Sequence, residues 1–129
     1  MKTFFIIAAV LTAVLGVAWT LLPRPMLLSW GVAPDEVAVY MARRYGGLFF
    51  GYSVILWLGR ASGPSTARTA ILAGGGIVTT VMAVVSLVGV LTGVVGPAVW
   101  GVVAIEVLLA AGFVYFYVAD GWRRSPAPS

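Results

Sequence analysis

Three side chains carry charge where an apolar chain can least tolerate it: Arg43 and Arg44 inside one oily stretch, and Glu106 inside another. Each costs roughly 2.5–3.5 kcal/mol to place in the middle of a bilayer, so together they demand an explanation. A guanidinium and a carboxylate at the same depth can form charge-assisted hydrogen bonds and relieve one another. Counted from either end of their stretches, Arg44 and Glu106 fall within about one helical turn of the same height. An Arg44–Glu106 pair is therefore expected, with Tyr40, Tyr45 or Tyr52 adding hydrogen bonds. Such a pair fixes helix register, or forms a ligand or lipid-headgroup site. A proton path fits poorly, because one acid makes a weak relay.

The remaining inventory for chemistry is thin. The chain has 4 acidic residues, 5 tyrosines, and no histidine or cysteine. Disulfides, thiolate catalysis, histidine-ligated haem and the usual zinc sites are excluded on composition. Asp35 and Glu36 read as helix-start residues and Asp120 as an interfacial one, leaving Glu106 without a catalytic partner. No catalytic residue, metal or cofactor is expected, and an enzyme is the least favoured class.

The elements that must position these residues follow from composition. Over 129 residues, 61% are hydrophobic, 9% are charged, and the mean hydropathy is +1.05. A chain this size cannot bury that much apolar surface in its own core, so lipid must cover the rest. The net charge of +4 does not point to nucleic acid, because the basic residues are scattered at helix ends. The expected fold is all-α: a transmembrane four-helix bundle in one domain over about 1–124, followed by a disordered tail at 125–129. The spans fall at about 4–22, 38–58, 70–92 and 98–118, each near the length that crosses a bilayer.

Local signals set those limits. Lys2 followed by an apolar run resembles a signal peptide, but the run is long enough to span and no small-x-small site follows it. Pro23 and Pro25 end the first span. Met26 to Val32 is too short to cross and is expected at the headgroup level as a turn or short helix. Pro34-Asp35-Glu36 opens the second helix, whose first turns stand outside the hydrocarbon. Gly93 and Gly96-Pro97 mark a tight hairpin before the fourth span. Gly74-Gly75-Gly76 lacks the strand and the Gly-Lys-Ser/Thr ending of a phosphate loop.

Lys2, Arg60, Arg68, Arg123 and Arg124 share one side of a four-span chain, against Arg24, Arg43 and Arg44 on the other. Basic residues are retained in the cytoplasm, so both termini are expected there. Trp19, Trp30 and Trp100 then sit at the outer interface and Trp57 and Trp122 at the inner one, where an apolar ring with an N–H is best placed.

Helices in lipid approach closely through small residues. Gly47 and Gly51 on the second helix and Gly75 and Thr79 on the third are the expected contact faces. Arg44 shares the Gly47/Gly51 stripe and is taken as the inward arginine; Arg43 is expected to snorkel to headgroups.

The run Arg44-Tyr45-Gly46-Gly47, then Gly51 and Trp57-Leu58-Gly59-Arg60, resembles a recurring type of small, largely uncharacterised bacterial four-span membrane protein. That resemblance implies the fold and a bacterial inner membrane, and carries no activity with it. The expected role is a non-catalytic integral membrane protein, acting as an accessory or structural subunit or as a homo-oligomer, with lipid and other membrane subunits or itself as partners. The alternative is a small transporter, channel, or lipid- or hydrophobe-binding protein built on the Arg–Glu site. In that case Thr79, Thr80 and Ser86 should face a common cavity with Glu106.

Overall fold

Peptide groups in lipid find no water, so an apolar chain must close its hydrogen bonds within its own segments. The computed structural model describes residues 1–122, and among these residues all regular structure is helical. The helices are α1 (Lys2–Leu21), α2 (Pro23–Ser29), α3 (Glu36–Gly59), α4 (Thr66–Leu91) and α5 (Val99–Trp122). The expected tail, with Arg123 and Arg124, lies outside the described residues. Of the four long helices, α1, α4 and α5 are long and apolar enough to cross a membrane. Expectation had four such spans. α3 is long enough at 24 residues, but Glu36, Arg43 and Arg44 crowd its first half and lower its apolar character.

The boundaries have local causes. Pro23 occupies the first turn of α2, where a missing N–H costs nothing. Asp35 caps α3 by accepting the Ala38 N–H at 2.8 Å, and Ser65 caps α4 by accepting the Arg68 N–H at 3.2 Å. Gly93, with φ at 70°, turns the chain out of α4 in a backbone conformation that side chains disfavour.

The long helices form two intimate antiparallel pairs, α1 with α3 and α4 with α5, while α2 lies across the end of the first pair. At one end Gly96 N–H donates to Trp30 O at 2.6 Å, tying the α4–α5 hairpin to the α2–α3 connection. Near the other end a cluster of Phe5, Ala8, Ala9, Leu56, Leu72 and Phe113 joins all four long helices. Phe4 adds an edge-on contact to Phe113, with ring centroids 4.9 Å apart.

The α1–α3 crossing is set by two glycines. A Cβ on Gly46 would lie 2.8 Å from Gly16 O and 2.7 Å from Thr20 N, and one on Gly16 would lie 2.8 Å from Phe50 N. These backbones touch. Gly47 and Gly51, the expected contact residues, are exposed and have nothing within 4 Å of a would-be Cβ. This corrects the sequence reading by one residue, which on a helix is a rotation of about 100°. Gly75 and Thr79 are buried on α4, and the Gly75 backbone lies directly against the Phe113 ring and the Tyr52 hydroxyl.

Candidate functional site

Rotation of α3 onto Gly46 decides where its polar side chains go. Ala42, Gly46, Ser53 and Leu56 face inward, with Tyr45, Phe49 and Tyr52 beside them. Arg43 and Arg44 are left exposed. Arg44 donates to the Tyr40 hydroxyl at 3.3 Å and lies over that ring, 5.7 Å from its centroid. It lines an outer cleft with Trp19, Leu27 and Trp30. The expected Arg44–Glu106 pair is therefore absent. The reason is twofold: the arginine's stripe faces outward, and it stands level with the far end of α1, where Trp19 meets Tyr45 at 5.9 Å between centroids. At that height a long cation reaches headgroups by snorkelling and needs no carboxylate.

The ion pair that does exist joins Arg68 to Asp120, with side chains 9% and 2% exposed. Arg68 also donates to Ser62 O at 3.2 Å. Sequence reasoning had placed both residues at the interface and did not pair them. A usable signal was present: α4 and α5 are consecutive and antiparallel, and the two residues lie at nearly equal distances from their hairpin, roughly twenty residues or about 30 Å. The same ladder sets Glu106 opposite Met82 and within one turn of Ser86, nearer the hairpin end.

Glu106 is 8% exposed. Its polar neighbour across the α4–α5 seam is the Ser86 side chain, and Tyr45 of α3 lies near enough to feel its charge. Tyr45 itself donates to the Met82 sulfur at 3.4 Å. Glu106 Oε2 is buried and has no hydrogen-bond partner among the described residues, and the same is true of the Tyr52 hydroxyl. Unsatisfied buried polar groups are uncommon in native structures, because each forfeits the hydrogen bonds it made in water.

Both orphaned groups line one cavity of about 220 Å³ between α1, α3, α4 and α5. Leucines of α1, Phe49, Met82 and Leu109 make its wall apolar, while Tyr45, Tyr52, Thr12, Thr79 and Glu106 are its polar groups. Thr12 and Thr79 spend their hydroxyls on their own helices, bonding Ala8 O at 2.8 Å and Gly75 O at 2.7 Å. A second chamber of about 100 Å³ continues toward Trp19 and Trp30 and shares Leu11, Leu15, Tyr45, Phe49 and Glu106 with the first. Thus Glu106 stands at the junction of the two. Of the residues expected to share its cavity, Thr79 lines the wall and Ser86 faces the carboxyl. Thr80 instead opens onto a shallow groove on the outer face with Ile77 and Val81.

No group of three or more potential metal ligands occurs among the described residues, and a single carboxylate makes a poor metal site. The arrangement suits a small apolar molecule that brings its own polar group to Glu106 and Tyr52. Comparison with protein-family models, with curated proteins and with solved structures finds no match.

Proposed function

We infer that this chain is a non-catalytic integral membrane protein of four spans whose helices enclose a binding cavity for a small, largely apolar molecule. The observation that carries the reading is the pair of unpartnered groups, Glu106 Oε2 and the Tyr52 hydroxyl, in one intramembrane cavity. A merely structural core would satisfy or discard such groups. Four crossings are supported by the outer face of α3, where Leu48, Phe50, Val54, Ile55 and Leu58 are exposed and apolar. Arg43 and Arg44 then mark the outer edge of that span. Lys2 and Arg60 lie at the opposite end, and Arg60 packs over the Trp57 ring at 3.9 Å in the manner of an interfacial anchor. In the sequence Arg123 and Arg124 follow the last residue of α5 directly, and that basic balance favours cytoplasmic termini in a bacterial inner membrane.

The test is purification in mild detergent from native membranes, followed by mass spectrometry of the intact assembly and of its extract. A stoichiometric small molecule is expected with the native chain and should be lost in Leu11→Trp, whose larger ring fills the wall shared by both chambers. An empty cavity in both samples would refute the reading.

A second reading, that of an accessory subunit or homo-oligomer, has one observation in its favour. Gly47 and Gly51 form a small-residue stripe on the lipid side of α3 that contacts nothing in this chain. A stoichiometric protein partner in the same experiment, displaced by Gly47→Leu, would support it.

A further inference from the structure

We propose that the intramembrane cavity takes a lipophilic ammonium, a protonated amine carrying a compact apolar group, with its N–H directed at Glu106. This rests on the binding role proposed above and narrows it by charge. Of the three buried side-chain atoms without hydrogen-bond partners among the described residues, Arg68 Nε belongs to the ion pair away from the cavity; the two that face the cavity can both accept a hydrogen bond, a carboxyl oxygen and a phenolic oxygen. A protonated amine supplies the donors that each lacks.

No basic side chain lines either chamber, and the buried arginine among the described residues, Arg68, is paired with Asp120 at the other end of the α4–α5 seam. Glu106 is thus the one acidic residue facing the cavity, and burial favours its carboxylate form only together with a bound cation. An anion would find no partner there. Around Glu106 stand the rings of Tyr45, Phe49 and Tyr52, whose electron-rich faces favour diffuse organic cations. A metal ion would need several more oxygen ligands, and the wall has none to give. A sugar or other multiply hydroxylated molecule would leave most of its hydroxyls against leucine and methionine. An amine with one apolar group matches both halves of the wall.

Size narrows the class further. The main chamber is about 220 Å³ and the adjoining one about 100 Å³. Drug-sized sites run roughly 300–1,000 Å³, so the occupant is a compact molecule with one ring or a short chain.

An isosteric pair of probes isolates the charge. Benzylmethylammonium and propylbenzene have the same heavy-atom skeleton, with an NH2 group in one where the other has CH2, so the ammonium has a donor for each of the two oxygens. Each is titrated calorimetrically at neutral pH into the full chain in lipid nanodiscs, with empty nanodiscs as the blank. The native chain is expected to bind the ammonium at least about tenfold tighter than the hydrocarbon, the order of one charge-assisted hydrogen bond. Glu106→Gln should erase that preference while changing the hydrocarbon affinity less than about twofold. Should Glu106→Gln fail to fold, Tyr52→Phe removes a single oxygen and should weaken the ammonium several-fold without weakening the hydrocarbon. Equal or tighter binding of propylbenzene by the native chain would overturn the ammonium assignment and leave the binding cavity standing. Binding of neither probe at millimolar concentration would overturn both.

Discussion

Replacing Gly46 by alanine should damage the protein, whereas the same change one residue later should not. A methyl on Gly46 would sit 2.7 Å from Thr20 N, 2.8 Å from Gly16 O, and in contact with the Thr20 hydroxyl. Two of these three atoms belong to backbone, so relief requires α1 and α3 to separate by several tenths of an ångström along their crossing. Overpacking of this kind costs about 1–3 kcal/mol. At Gly47 the added methyl meets nothing within 4 Å, and alanine's better helix propensity offsets any loss. The expected gap between the variants is at least about 1 kcal/mol, roughly fivefold in the folded-to-unfolded ratio. Unfolding by sodium dodecyl sulfate, followed by circular dichroism and by total tryptophan fluorescence, would measure it. If Gly47→Ala lost as much stability as Gly46→Ala, α3 would be rotated from the orientation described. Tyr45, Phe49 and Tyr52 would leave the cavity, Arg44 would turn inward, and the argument for the site would fall with the packing.

Three further outcomes are expected. Arg68→Met should cost up to about 3–5 kcal/mol by breaking the buried pair with Asp120 across the α4–α5 seam, and the double variant Arg68→Met/Asp120→Leu should recover part of that loss in the same unfolding assay. Gly75→Ala should lower the thermal midpoint in detergent because its methyl meets the Phe113 ring, while exposed Gly74→Ala should leave it unchanged. Because the chain has no cysteine, Gly63→Cys and Val94→Cys, both at exposed positions, each present a single thiol. If α3 crosses, the first should react with an impermeant maleimide only from the cytoplasmic side and the second only from the outside.

What could be read from the sequence, and what could not, divides along a physical line. Segment limits depend on local chemistry. Pro23, the Asp35 cap and Gly93 each act within a few residues, so the helices start and stop close to where those residues direct. The rotation of a helix about its own axis depends on what it touches. Arg44-Tyr45-Gly46-Gly47 offers two adjacent glycines, and either could seat a neighbouring backbone. Nothing within α3 distinguishes them. The deciding residue is Gly16 on α1, whose open surface receives Gly46 and turns Arg44 toward the outer interface. Depth alone could not correct this, because two side chains at the same height still miss each other when one faces away.

The α4–α5 seam was more legible than it was taken to be. A short hairpin fixes two antiparallel helices in register, so residues at equal distance from the turn must be neighbours. That rule pairs Arg68 with Asp120 and sets Glu106 across from Met82, within a turn of Ser86, with no cation to meet. It also separates the two acids of α5 by their consequences. Asp120 has an arginine in its own hairpin, and its charge is neutralised at the helix ends. Glu106 has only a hydroxyl across the seam and three aromatic rings from α3. A charge compensated within the fold holds helices together. An acid left without a cation, at the junction of two apolar chambers, can pair with one that binds there.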